Sequence, residues 1–242
     1  MGENSITEPD DSLAARIAQR ALTKRGAEYA GEVRRLLDAA LTVMRERGTG
    51  SRPRVSDIVT AAGLSNDAFY RHFPSKDALV AAVLEDGTVR LSGYVAHRMQ
   101  GEPDPRTRVR RWVAAVLSQA NDDIAAATLA VLWNAAGPGA GMDPSASSAS
   151  ARLAELLAPT LAELHCATPE SDAMLLAHAV VGTLGDHLWR HTTPTVADID
   201  RVTVFCLRVL GQDGQDGPAD RTRGEPHDPD RSGEHGGSSL GS

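Results

Sequence analysis

The sequence predicts an all-α protein of about nine helices, opening with a three-helix helix-turn-helix unit and continuing into a larger helical domain. Three observations predict it. Apolar residues recur at three- and four-residue spacing along most of the chain. No segment alternates apolar and polar residues as a half-buried strand would. The run VSDIVTAAGLSNDAFYRHFPSK, Val55 to Lys76, fits two short helices and a tight turn into some twenty residues. A length of 242 residues with 41% hydrophobic content is enough for one large domain or two smaller ones, each with its own core.

The elements follow in chain order. The start is polar and acidic (Glu3, Glu8, Asp10, Asp11), with no positive end followed by an apolar run. It therefore predicts neither a signal peptide nor a membrane span, but a cytoplasmic chain without a membrane partner. Residues 1–27 read as an N-terminal basic arm or extra helix, with Ser12 to Arg25 as its helical part. From Tyr29 to Arg47, apolar Val33, Leu37, Leu41 and Met44 alternate with charges, which predicts an amphipathic supporting helix. Arg45 and Arg47 precede Gly48, where cations suit a helix C-terminus.

In the central motif, Ser56 and Asp57 are expected to open a helix with a cap and a favourable charge. Ile58, Ala61 and Ala62 give that helix an apolar face, and Gly63 supplies the turn. Ser65 then caps a second helix. Phe69 and Phe73 lie four apart and point inward, leaving Asn66, Asp67, Tyr70 and Arg71 outside, with Ala68 near the edge. Such an outer face reaches base edges and phosphates.

The formal charge of −7 becomes compatible with a nucleic-acid partner once it is divided along the chain. Residues 13–100 hold 14 Lys and Arg against 9 Asp and Glu, a net +5, while residues 1–12 carry −4 and residues 101–242 carry −8. Lys24, Arg25, Arg52 and Arg54 flank the motif and suit a phosphate footprint; a solvated helix face is the alternative. Only Lys24 and Lys76 are lysines, against 23 arginines.

Ile58, Ala62-Gly63-Leu64-Ser65, Phe69-Tyr70-Arg71-His72-Phe73 and Ser75-Lys76 together resemble the DNA-binding domain of the TetR family of bacterial transcriptional regulators. The resemblance holds at motif level from about Glu28 to Leu84, and beyond that only in length, helix content and arrangement. It implies a DNA-binding domain over 28–84 whose second motif helix enters the major groove. Tyr70 and His72 would touch backbone or base edges, and Lys76 would hold a phosphate. The expected DNA-binding set is Ser65, Asn66, Asp67, Ala68, Tyr70, Arg71, His72 and Lys76, with Arg54. Asp67 departs from the small uncharged residue usual at that place. It either complements the positive helix N-terminus or accepts from a cytosine amino group.

After Ser75 and Asp77, the run ALVAAVL continues as a helix towards Met99, with Gly87 and Gly93 as weak points, and links two domains. Residues 85–211 read as a helical regulatory and dimerisation domain. Pro and Gly punctuation separates helices near 105–120, 122–136, 146–166, 169–191 and 196–210. Gly137-Pro138-Gly139-Ala140-Gly141 reads as a loop.

The resemblance implies a small-molecule effector, largely apolar and of unknown identity, held among these helices. Trp112, Leu129, Trp133, Asn134, Leu157 and His178 are the candidate lining, and each is equally an ordinary core or surface residue. It also implies a homodimer built from the last two helices, with Leu184, Leu188, Val202 and Phe205 at the interface.

His187 and His191 stand four apart, but two ligands do not make a metal site, so no metal is expected. Cys166 and Cys206 lack metal-ligand spacing and read as packed thiols. No phosphate loop, nucleophile elbow or carboxylate pair points to an enzyme or to a cofactor. Residues 212–242, poor in large apolar side chains, read as a disordered acidic tail. The expected function is a ligand-responsive repressor binding a pseudo-palindromic double-stranded operator as a homodimer. An architectural DNA-binding protein without an effector, or an activator, is the alternative.

Overall fold

In a computed structural model of the full chain, the structure describes residues 12–136 and 144–211. Among them all regular structure is helical: α1 Leu13–Arg47, α2 Val55–Ala62, α3 Asn66–His72, α4 Lys76–Met99 and α5 Pro105–Leu117. A 3₁₀ turn at Ser118–Ala120 leads to α6 Asp122–Ala135, α7 Pro144–Glu163, α8 Pro169–Arg190 and α9 Val196–Gly211. The acidic start, the loop at 137–143 and the tail at 212–242 lie outside the described residues.

The helices begin where the chain supplies oxygens for their orphan amides. Ser12 Oγ accepts from the Ala15 amide, Ser65 Oγ from Ala68 and Ser75 Oγ from Ala78, each at 3.1 Å. Asp104 Oδ2 takes both the amide and the hydroxyl of Thr107, at 2.8 and 2.6 Å. Each such cap contributes about 1 kcal/mol. The start of α2 differs from expectation. Its cap is Arg54, and Asp57 reaches back to accept the Arg54 amide at 2.8 Å.

A second difference concerns the start of the chain. The expected arm at Ser12–Arg25 and the helix at Tyr29–Arg47 are one continuous α1 of 35 residues. The segment contains no proline and is rich in Ala, Leu, Arg and Glu. Gly26 and Gly31, at about 1 kcal/mol each, are too weak to break it. Gly87 and Gly93 likewise sit inside an unbroken α4.

Two apolar cores result. The first joins Leu36, Ala40 and Met44 of α1 to Ile58 of α2, Phe69 of α3 and Leu79 of α4. The second gathers Val95 and Met99 of α4, Trp112 and Val116 of α5, Leu157 and Leu161 of α7, and Leu176 and Val180 of α8. Trp112 is fully buried, and its indole N–H donates to the Leu153 carbonyl at 3.1 Å, so burial leaves no orphan donor.

Two helices contribute to both cores. α4 does so end to end, while α6 turns Ala130 and Val131 to the first core and Leu129 to the second. The Arg52 guanidinium adds a bond to the Ala136 carbonyl at the end of α6, at 3.2 Å. The unit of α1, α2 and α3 therefore rests on the larger domain through α4, α6 and Arg52.

Candidate nucleic-acid interface

The motif folds as two short helices around a single left-handed residue. Gly63 takes φ +63° and ψ 38°, a conformation that costs an L side chain and that glycine adopts freely. α3 is then held by its inner face. Phe69 is fully buried, and the rings of Tyr70 and Phe73 lie against it at 5.1 and 6.0 Å. A buried phenylalanine at the middle of a seven-residue helix fixes which residues point out.

Asn66, Asp67, Tyr70 and Arg71 do point out, with Tyr70 58% exposed. Asp67 stands in the first turn of α3, where its charge suits the helix dipole. Ser65 is exposed, and its Oγ accepts the Ala68 amide as the cap, which leaves the hydroxyl proton to donate outward. Lys76 is half-buried in the first turn of α4, and Arg54 is exposed at the start of α2.

Two residues of the expected set face elsewhere. Ala68 is 4% exposed and packs inward, because the apolar face of α3 is wide enough to include the residue preceding Phe69. The His72 side chain is wholly buried, and its Nε2 lies 2.6 Å from Glu32 Oε2 on α1. The Tyr29 ring meets the imidazole edge-to-face at 4.3 Å. Arg52, expected on phosphates, is engaged by α6.

Glu32 is the residue that sequence reasoning missed. Besides His72 it accepts from Arg71 Nη1 at 3.4 Å on the same oxygen. Its hydrogen bond with His72 is the main cause that holds its carboxyl below the usual range; burial opposes it, and the charges of Arg71, His72 and Arg35 add to the lowering. Its partners lie 39 and 40 residues away in sequence, beyond any spacing argument.

In the larger domain the candidate lining divides. Trp112, Leu129 and Leu157 are buried, and Asn134 is buried with its amide N–H on the Ala130 carbonyl at 2.8 Å and its Oδ1 without a partner. Trp133 and His178 are exposed. Trp133 meets Trp189 of α8 edge-to-face at 6.2 Å, and His178 Nδ1 pairs with the Met174 carbonyl. A separate open groove of about 630 Å³ runs between the end of α4, Arg108 of α5 and Pro159 of α7.

The expected dimer residues divide as well. Leu184 and Leu188 are buried within the subunit, Val202 is half-buried, and Phe205 is 53% exposed. Among the described side chains, the exposed large apolar residues of α8 and α9 are Leu175, Trp189, Val196 and Val204, together with the expected Phe205.

His191 ends α8 in a left-handed conformation, and His187 Nδ1 pairs with the Thr192 hydroxyl at 2.9 Å. Among the described residues, no group of three or more His, Cys, Asp or Glu is placed to hold a metal ion. The Cys166 thiol donates to Asp172 at 2.8 Å, and burial pushes the Cys206 thiol up to about 11. No helix among the described residues is long and apolar enough to cross a membrane.

Comparison with known proteins agrees with this geometry. Residues 36–83 match the family model of bacterial regulatory proteins of the tetR family. YvdT of Bacillus subtilis (strain 168), described as an uncharacterized HTH-type transcriptional regulator, is 33% identical over 77 residues. That match covers 32% of this chain and 39% of the relative's length. The fold is similar to a transcriptional regulator from Rhodococcus sp. Rha1, with TM-score 0.56 and 20% identity over 75% of this chain and 96% of that one. It is also similar to the regulator FadR of Bacillus subtilis in complex with stearoyl-CoA, with TM-score 0.52 and 17% identity over 73% and 96%. Residues 36–83 thus carry a helix-turn-helix that matches the tetR family model, and the chain shares its overall fold with these solved regulators.

Proposed function

We propose that this chain is a sequence-specific DNA-binding transcriptional regulator that acts as a homodimeric, ligand-responsive repressor. The observation that carries the reading is the outer face of α3, where Asn66, Asp67, Tyr70 and Arg71 stand clear of a helix anchored on buried Phe69. A helix of that length enters the major groove and offers three or four side chains to base edges. Ser65 and Lys76, near the starts of α3 and α4, serve the phosphates, and Arg54 adds charge beside them. The DNA-binding unit occupies 28–84, and residues 85–211 form the regulatory and dimerisation domain.

One short helix touches too few bases for specificity, so two copies are required, and the operator is a pseudo-palindrome with half-sites about one helical turn apart. The exposed apolar side chains of α8 and α9, Leu175, Trp189, Val204 and Phe205 among them, support a second copy docking there. The fold neighbour bound to stearoyl-CoA supports an apolar effector for this chain.

In that reading the ligand shifts the regulatory helices, α4 swings, and the two α3 helices lose the operator spacing. α6 and its bond to Arg52 offer a second route between the domains. Affinity falls only by as much as the ligand discriminates the two arrangements.

The test is capture of genomic fragments by the full chain, followed by sedimentation of the protein with the best fragment. Two protomers per inverted repeat, released by a compound from an apolar library, are expected. Binding without sequence preference favours an architectural protein, and specific binding that no compound relieves removes the ligand response.

A further inference from the structure

Glu32 places a negative charge beside the two basic residues that end α3, next to the surface that DNA would occupy. A carboxylate there is repelled by phosphates, so its position calls for a compensating role, and the geometry supplies one. A single oxygen, Oε2, accepts from Arg71 Nη1 at 3.4 Å and pairs with His72 Nε2 at 2.6 Å. The two bonds differ in kind. The imidazole is wholly buried and closed in by the Tyr29 ring, so the short bond fastens the end of α3 to α1. The Arg71 side chain is 60% exposed and its bond is long, so Glu32 holds the guanidinium from one side only. A guanidinium has five N–H donors in a rigid fork, and the remainder are available to a base.

We propose that Glu32 is a positioning residue for DNA recognition: it orients Arg71 for a base edge by holding one side of its guanidinium while locking the adjacent His72 against α1. This inference rests on the DNA-binding function proposed above. It assigns specificity to an acidic residue on α1, outside both motif helices. The groups facing Glu32 are Arg71 and His72 of α3 and Arg35 of its own helix, and their joint effect keeps it ionised.

The mechanism separates two effects of the same substitution. Glu32→Gln removes a negative charge beside the phosphates, so affinity for random DNA rises a few-fold at low salt. It also frees Arg71, so the preference for the operator over its single-base variants falls at the base pair that Arg71 reads, by about tenfold, within the range of one bidentate contact. A residue that merely stabilised the fold would lower binding to all sequences alike and would not raise it for any.

The experiment measures operator, single-base-variant and random DNA with wild-type, Glu32→Gln, Arg71→Ala and the double variant, all as full chains. The proposal expects the preference to fall in Glu32→Gln and no further fall when Glu32→Gln is added to Arg71→Ala. Should Glu32→Gln prove unstable, Glu32→Asp, with its shorter reach, is expected to keep the charge and still lose part of the preference. A wild-type preference kept intact by Glu32→Gln, or additive losses in the double variant, overturns the positioning role alone. A wild-type protein that prefers no sequence overturns the DNA-reading function and this role with it.

Discussion

Arg47, the last residue of α1, donates from Nη2 to Asp57 Oδ2 at 2.8 Å, tying the end of the supporting helix to the first turn of α2. The same oxygen accepts the Arg54 amide at 2.8 Å, so one carboxylate both caps α2 and closes the α1–α2 connection. Asp57→Ala is expected to cost about 1–2 kcal/mol, most of it from the lost cap, because a partly exposed ion pair contributes under about 1 kcal/mol. A urea midpoint indistinguishable from wild type would contradict that arrangement.

Ala68 is buried beside Phe69, 4% exposed, rather than standing at the exposed edge of α3. Ala68→Leu is therefore expected to overpack the site and lower stability by about 1–3 kcal/mol, and Phe69→Ala to cost about 3–5 kcal/mol through the cavity it leaves. Thermal unfolding monitored by circular dichroism checks both. An Ala68→Leu protein as stable as wild type would return that residue to the surface.

Arg71 and Lys76 are expected to fail differently. Arg71→Ala should cost about 1–3 kcal/mol on the operator and relax the preference at one base pair. Lys76→Ala should weaken all sequences equally and lower the slope of log affinity against log salt by about one. Titrations at several salt concentrations, on specific and random DNA, distinguish the two patterns.

Cys206 gives a pH dependence of definite sign. Its thiol is raised by burial to about 11, so the folded state keeps it protonated where the unfolded chain, near the ordinary value of 9.0, has already ionised. Stability from this group is complete below about pH 9 and is lost as pH rises towards 11. The fall in urea midpoint between pH 8.5 and 11 should be smaller in Cys206→Ala than in wild type, and the native thiol should resist alkylation at pH 8.

Phe205 and Val204 are exposed on α9, and a charge there should keep two copies apart without disturbing either core. Phe205→Asp is expected to sediment as a monomer and to lose most of its operator affinity while its helicity stays unchanged. A variant that remains dimeric would move the interface off α9.

Much of this architecture is legible along the sequence because its causes are local. The four-residue step from Phe69 to Phe73, the turn glycine Gly63 and the cap Ser65 all act over a single helical turn, and each sits where spacing alone places it. The misses have distant causes. His72 is buried by partners on another helix, Tyr29 and Glu32, so its neighbours within α3 say nothing of its orientation.

α8 shows a second kind of limit. It carries apolar residues on two sides, and periodicity does not say which side meets its own subunit. Leu184 and Leu188 pack inside, while Leu175 and Trp189 are left outside. α1 shows a third, since glycines at 26 and 31 resemble breaks but the surrounding helix formers outweigh them.

The central claim is that α3 reads a defined DNA sequence in two copies. It is tested most directly by selecting bound duplexes from a random pool at two salt concentrations, with wild-type protein and with Tyr70→Ala. The account predicts an enriched inverted repeat with wild-type protein at both concentrations, and no enrichment with Tyr70→Ala. Salt-sensitive retention of all sequences alike, or enrichment that Tyr70→Ala leaves unchanged, would contradict it.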